Sequence, residues 1–378
     1  MAEPDDLPEP DRIEGAPHPR ETGQLVGHAA AEAAFLDAYN AGRLHHAWLI
    51  TGPRGVGKAT LAWKIARFLR AAPAPGEVGL FGEAPTPATL EIAADHPVAR
   101  RSRALAEPGI FLLRRGPRDK PNDDKIAAEI LVKEVRRMRA FFDLSVIDGG
   151  RRVVIVDAAD EMNPQAANAL LKSLEEPPSG TVFLLVSHQP SRLLPTIRSR
   201  CRALRLDPLA APDLARALEG AGLDGVENTE ALGELAGGSV GEALQLFHQG
   251  GLEAYREIVA TFANAPRYDR LRAIALANSA TGAANATRFD LVLRLFALFL
   301  ARLARAGAGH LPAFEAAPGE AALLGRLAPD ARAGRVWAGL QQELTARAAH
   351  GRAVNLDPAA VILDMVFRIN EAAEARVA

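Results

Sequence analysis

The sequence predicts an α/β domain, a parallel sheet with helices on both faces, followed by an all-helical remainder. Three observations carry this. A short apolar run, Ala47 to Ile50, enters a glycine-rich turn and leaves it as an amphipathic stretch with Leu61, Ile65, Phe68 and Leu69. Val153-Val154-Ile155-Val156 is an unbroken β-branched run, the pattern of a strand buried on both faces. Beyond Pro208 no strand pattern is left, and helical spacing continues to the end of the chain.

In order along the chain, residues 1–22 are rich in Pro, Asp and Glu with few apolar anchors, and are expected to be a disordered tail. Leu25 to Ala41 has helical spacing before the first strand. Residues 71–108, dense in Ala, Pro and Gly, are expected to be an irregular insertion in which His96 is a surface residue. Ile110 to Leu113 then reads as a strand and Ile126 to Phe142 as a helix. Val153 to Val156 is the next strand, closed by Asp157. Pro164 to Glu175 is a helix with proline in its first turn and Ala167, Leu170, Leu171 and Leu174 on one face; Pro177-Pro178 stops it. A strand at Thr181 to Val186, a helix near Ser191 to Ile197 and a short strand at Ala203 to Leu206 complete the alternation, which implies a parallel sheet covered on both faces.

Three short helices follow, Pro212 to Leu218, Thr229 to Ala236 and Val240 to His248. Longer ones occupy Leu252 to Phe262, Tyr268 to Ala277, Arg288 to Arg305, Glu320 to Leu327, Arg332 to Ala348 and Pro358 to Ala375. The expected division is a tail at 1–22, an α/β domain at 23–208, a small helical domain at 209–265 and a larger helical domain at 266–378. A chain of 378 residues has room for this many units.

Bulk properties narrow the function classes. The formal net charge of -2 gives no global attraction to nucleic acid or membrane. With Cys201 as the sole cysteine, neither an internal disulfide nor a cysteine-based zinc site can form. The acidic N-terminus lacks the basic and apolar regions of a secretory signal, so a cytosolic protein is expected. Leu291 to Leu303 is apolar on nearly every side, but Arg294 and Arg302 interrupt it and it falls short of the ~20 residues a bilayer requires. It is expected at the centre of a helical bundle.

The chemistry centres on the turn after Ile50. Gly52, Gly57 and Lys58 fit the phosphate-binding loop, Gly, four residues, then Gly-Lys, with Gly55 between them. Glycines let successive N–H groups face one anion, the following helix adds its positive dipole, and lysine reaches the terminal phosphates. The next position should carry the hydroxyl that holds magnesium, and Ala59 stands there. Thr60 is one residue late and about 100° further round the helix, a poor substitute. Asp157 has the placement of the aspartate that holds magnesium in such enzymes, but Ala158 follows where a water-orienting Glu is common. Asp160 and Glu161 come at the wrong step to point into the same site. No cofactor is therefore required, and binding of ATP or ADP is expected to be weak or absent.

Asn168-Ala169-Leu170-Leu171-Lys172-Ser173-Leu174-Glu175-Glu176-Pro177-Pro178, followed by Ser199-Arg200-Cys201, resembles the signature of the bacterial clamp-loader ATPases of the AAA+ class. Within that class the chain is similar to the delta-prime family of DNA polymerase III subunits, over about residues 24–208. The resemblance implies an AAA+ domain, a helical lid at 209–265 and an oligomerising collar at 266–378. It implies that Arg200 reaches across a subunit boundary to a neighbour's ATP as a trans-acting arginine finger; a guanidinium, always charged, forks well onto phosphate oxygens. Active relatives carry an arginine in a Gly-Ser-x-Arg-x-Ala-Leu segment. Here that segment is Gly238-Ser239-Val240-Gly241-Glu242-Ala243-Leu244, with Gly241 in the arginine's place. Many relatives also hold a four-cysteine zinc module that this chain lacks, so no metal is expected, and Cys201 is expected to be a small buried hydrophobe.

The implied partners are gamma/tau-like motor subunits and a delta subunit and, through that complex, the sliding clamp and primer-template DNA, with no membrane. The implied setting is the cytoplasmic, nucleoid-associated replisome. The chain would be a stator in replication, enzymatic only as part of the DNA polymerase III holoenzyme (a nucleotidyltransferase) and not an ATPase by itself. Two alternatives remain open at the level of sequence. One is an active AAA+ ATPase, either a motor clamp-loader subunit or a recombination factor; the other is a free-standing nucleic-acid-binding protein.

Overall fold

A computed structural model describes residues 9–13, 16–72, 78–79, 82–83, 86–118, 125–143, 150–223 and 228–377. They form two compact units, residues 1–224 with 239–241, and residues 225–238 with 242–378.

The first unit runs α1 (Ala29–Asn40), β1 (Ala47–Thr51), α2 (Lys58–Ala71), a two-stranded antiparallel ribbon of β2 (Val78–Gly79) and β3 (Gly82–Glu83), then α3 (Pro97–Arg103) and β4 (Ile110–Arg114). It continues through α4 (Val132–Asp143), β5 (Arg152–Asp157), α5 (Pro164–Glu175), β6 (Thr181–Ser187), α6 (Pro195–Arg198), β7 (Arg202–Arg205) and α7 (Ala211–Gly220). The sheet order is β4-β5-β6-β1-β7, and every pair is parallel. Strand side chains alternate between two buried faces. Ala47 and Leu49 join a core with Val154, Val156, Phe183 and Leu185 under α4 and α5. Trp48, pointing the other way, meets Phe35 of α1 with ring centroids 4.9 Å apart. Helices on both faces thus explain the unbroken apolar strands.

α5 begins where its sequence says: the Asn163 side chain accepts from the Ala166 N–H, and Pro164 fills the first turn. α4 starts later than expected, because Ile126 is bridged to Pro117 and Ile130 to Met162 before the helix can form. Nor is 71–108 wholly irregular. It contains the β2–β3 ribbon and α3, and His96 caps α3 by accepting from the Val98 N–H. α2 is buried on nearly every side, and its Lys64 Nζ pairs with Glu32 at 2.7 Å and Glu91 at 2.5 Å.

The second unit is helical: α8 (Thr229–Ala236), α9 (Val240–His248, whose first turn carries the division), α10 (Gly251–Phe262), α11 (Arg270–Asn278), α12 (Ala286–Gly307), α13 (Glu320–Leu327), α14 (Ala331–Ala353) and α15 (Pro358–Val377). α8 to α15 share this one unit, while α7 belongs to the first. α12 and α14 approach at backbone distance, for a Cβ on Gly307 would lie 2.6 Å from the Gly334 nitrogen. Arg302 is buried in the bundle and donates to Glu320 at 2.7 and 3.2 Å and to Glu234 at 3.2 Å. Glu320 also accepts from Tyr255 Oη at 2.5 Å and the Ala316 N–H at 2.8 Å. Among the described residues no helix is long and apolar enough to cross a membrane.

Candidate nucleotide-binding site

β1 delivers the glycine-rich turn at the carboxyl end of the sheet, where open α/β sheets bind ligands. Gly52 has φ +146°, and a Cβ there would sit 2.2 Å from the Leu206 carbonyl oxygen, so only glycine fits. Gly55 and Gly57 also take positive φ, and Lys58 opens α2. The lysine does not point outward. Its Nζ donates to the carbonyl oxygens of Gly52 at 2.8 Å and Pro53 at 2.5 Å. Burial lowers it to about 8, against the pull of Asp157 and Asp160, with Arg54 adding to the depression. Ala59 and half-buried Thr60 follow on the first turn of α2.

Asp157 ends β5, in register with Arg114 of β4. Burial, then the charges of Asp11 and Glu161, push its carboxyl up to about 7 while Lys58 and Arg114 pull it down. The next residue, Ala158, is buried. The Asp160 carboxylate accepts from the backbone N–H groups of His188 at 2.9 Å and Gln189 at 3.1 Å, so it anchors a turn. Glu161 pairs with Arg115 at 2.8 Å. Both carboxylates near Asp157 are therefore already engaged.

His188, just past β6, was not singled out by sequence. Burial and then Lys58 drive it down to about 4, with Asp160 opposing, so its imidazole is neutral around pH 7. A histidine after a strand has no signature; only the parallel order, which sets β6 between β5 and β1, places it at this edge.

The expected tail is the main correction. Its residues 9–13 and 16–22 pack onto the first unit; residues 1–8 and 14–15 lie outside the described residues. His18 is fully buried, its Nδ1 accepts from the Arg20 N–H, and its Nε2 stands 3.1 Å from Asp11 Oδ2. Arg114 pairs with Asp11 at 2.5 Å, Arg20 with Glu9 at 2.5 Å, and Arg67 donates to the Arg20 carbonyl at 2.9 Å. Burial opposes ionisation of Asp11, yet the His18 hydrogen bond and the Arg114 charge hold it below the usual carboxylate range. Among the described residues of this stretch, the acidic Glu9 and Asp11 are paired with Arg20 and Arg114.

The segment Ser239–Gly241 closes on the loop from the other side. Ser239 Oγ donates to the Arg54 carbonyl at 2.8 Å and Gly241 N–H to the Gly55 carbonyl at 3.0 Å. A Cβ on Gly241 would lie 2.7 Å from Ile13 Cδ1 and 2.9 Å from Gly55 Cα, so an arginine at 241 has no room.

Arg200 lies at the opposite end of the sheet. It precedes β7, whose Arg202 pairs with Trp48 and whose Arg205 pairs with Thr51, the residue before Gly52. Strand rise alone then separates it from its own loop by roughly 13 Å. Its guanidinium is half-exposed, pairs with Glu175 at 2.9 Å and donates to the Thr196 carbonyl at 3.0 Å. Cys201 is half-buried against the core rather than fully inside it, and burial pushes its thiol up to about 12.

A sequence model of the family described as DNA polymerase III, delta subunit, matches residues 27–210. The DNA polymerase III subunit delta' of Pseudomonas aeruginosa is 41% identical over 218 residues, covering 57% of this chain and 59% of that one. The delta' subunit of Escherichia coli is 32% identical over 56% of this chain and 58% of its own length. The gamma subunit of Buchnera aphidicola is 28% identical over 60% and 58%. The match thus spans less than two thirds of the length of these relatives. Among solved structures, a gamma subunit-related protein of Thermotoga maritima aligns over 70% of this chain and 84% of that one, at 19% identity and a TM-score of 0.40, a likeness too loose to carry weight. With its parallel sheet, its glycine loop and the match over residues 27–210, this part of the chain is similar to the family described as DNA polymerase III, delta subunit, and to the bacterial delta' subunits.

Proposed function

We propose that this chain is a stator of a DNA polymerase III clamp loader, giving Arg200 to the ATP held by an adjoining motor subunit while a sliding clamp is placed on primed DNA. The observation that carries the reading is the position of Arg200, half-exposed and at the sheet end remote from Gly52 and Lys58. A guanidinium there serves no phosphate in its own loop. Its partner Glu175 is also half-exposed, and such a surface pair is worth only about 0–1 kcal/mol, so exchange onto a neighbour's phosphate costs little.

The loop itself supports a passive role. Its lysine is bonded inward, alanine stands at the hydroxyl position, and Asp160 and Glu161 are committed to other partners. Hydrolysis needs a metal ligand, a water-orienting group and charge stabilisation together. On this reading the gamma/tau and delta subunits are the partners, DNA and clamp are met through them, and the chain turns over no ATP alone.

Native mass spectrometry of the chain mixed with motor and delta subunits tests the assembly. A stable complex containing this chain is expected, and ATP hydrolysis by the purified chain is expected to be absent. Failure to assemble, or turnover abolished by Lys58→Ala in the isolated chain, would overturn the reading in favour of an independent ATPase.

A further inference from the structure

We propose that residues 9–13 are an intramolecular stopper in the nucleotide cleft, seated between the glycine loop and the carboxyl end of β5. The segment is fixed on both flanks. On one, Asp11 pairs with Arg114 at 2.5 Å and the Pro10 carbonyl accepts from Arg115 at 3.3 Å; these arginines end and follow β4. On the other, Ile13 Cδ1 is 2.7 Å from the Cβ position of Gly241, itself 2.9 Å from Gly55 Cα. Between these anchors the chain passes the end of β5, where Asp157 stands opposite Arg114. Asp157 registers the passage: after burial, the Asp11 charge is the largest influence on its carboxyl.

The consequence is electrostatic and steric. Phosphates entering this cleft would meet the Asp11 carboxylate, already matched by Arg114 and His18, and the Ile13 side chain against the loop. A carboxylate therefore takes the arginine contact that an incoming anion would need, and binding requires the segment to leave first. Leaving is feasible. Among residues 9–13 the apolar anchor is half-buried Ile13, no regular secondary structure holds them, and the Arg114 and Glu9 side chains retain 22% and 15% exposure. The inference rests on reading Gly52–Lys58 as a phosphate-binding loop and is independent of any role for Arg200.

The test is titration of the full chain with a fluorescent ATP analogue (methylanthraniloyl-ATP), comparing wild type with the Asp11→Arg, Ile13→Asp double variant. If the stopped form makes up about nine-tenths of the population or more, releasing it raises apparent affinity by about tenfold or more. Adding Lys58→Ala to the double variant should remove that gain. Equal affinity in wild type and double variant, whether both bind or neither does, overturns the stopper. Since the double variant can misfold, amide hydrogen exchange of the wild-type chain gives a second reading. Protection of residues 11–13 is expected, and exchange at unfolded-chain rates overturns the proposal. All of this is done on the isolated chain, so a negative result leaves the assembly reading untouched, while Lys58-dependent binding of equal affinity in wild type and double variant removes only the stopper.

Discussion

The ammonium of Lys58 donates to the carbonyl oxygen of Gly52 at 2.8 Å, so the loop is closed on its own lysine. A second bond to Pro53 holds it there, and a phosphate would have to displace both. The charge is thus kept inside the first unit, while the half-exposed Arg200 lies at the far end of the same sheet. This division, an inward lysine and an outward arginine, underlies the first and last predictions below.

Lys58 gives a pH-dependent stability with a definite sign. Its folded-state value, about 8, lies below its ordinary 10.5 because of burial. Between those values the unfolded chain binds more protons, so this residue makes stability rise with pH from about 8 to 10.5. The contribution is at most about 3 kcal/mol across the window. Urea unfolding at pH 8 and pH 10 should show wild type gaining relative to Lys58→Met, and parallel behaviour of the two would contradict the burial.

Gly52→Ala should destabilise the first unit by at least about 2 kcal/mol, since a Cβ would meet the Leu206 carbonyl oxygen at 2.2 Å with φ at +146°. Gly180→Ala is the control. It has positive φ but open space around the new methyl, and should cost only about 1 kcal/mol. Equal costs in denaturant titrations would mean that the close approach at Gly52 is not formed.

In the second unit, Arg302→Met should cost about 3–5 kcal/mol, because it leaves the buried Glu320 carboxylate without its bidentate partner. Adding Glu320→Gln to that variant should recover part of the loss, as the remaining group is then neutral. Chemical denaturation reads both. A single variant within about 1 kcal/mol of wild type would show that the pair is solvated.

Cys201 should be unreactive in the native chain. With its thiol pushed up to about 12, the thiolate fraction at pH 8 is very small. Alkylation by iodoacetamide is expected to be slower by about 10²-fold or more than in denaturant. Comparable rates would place the sulfur in solvent.

Much of this architecture was legible in the sequence because burial leaves periodic marks. Val153 to Val156 carried the pattern of a strand covered on both faces, and Pro164 announced the start of α5. Local patterns failed where partners were distant. Glu9 and Asp11 looked like a solvated tail because their arginines, Arg20 and Arg114, carry no sequence link to them. His96 was invisible as a cap because histidine is not a usual one, and His188 because its place depends on strand order. The loop glycines were readable; that Lys58 turns inward was not, since its acceptors are backbone carbonyls.

The account is tested most directly by ATP hydrolysis in a reconstituted clamp loader whose one competent motor subunit adjoins this chain, carrying either Arg200 or Arg200→Ala. Loss of a trans-acting guanidinium should lower turnover at that site by roughly 10³-fold or more, with assembly unchanged by native mass spectrometry. Hydrolysis within about twofold of wild type, well short of the effect of removing such an arginine, would contradict the account.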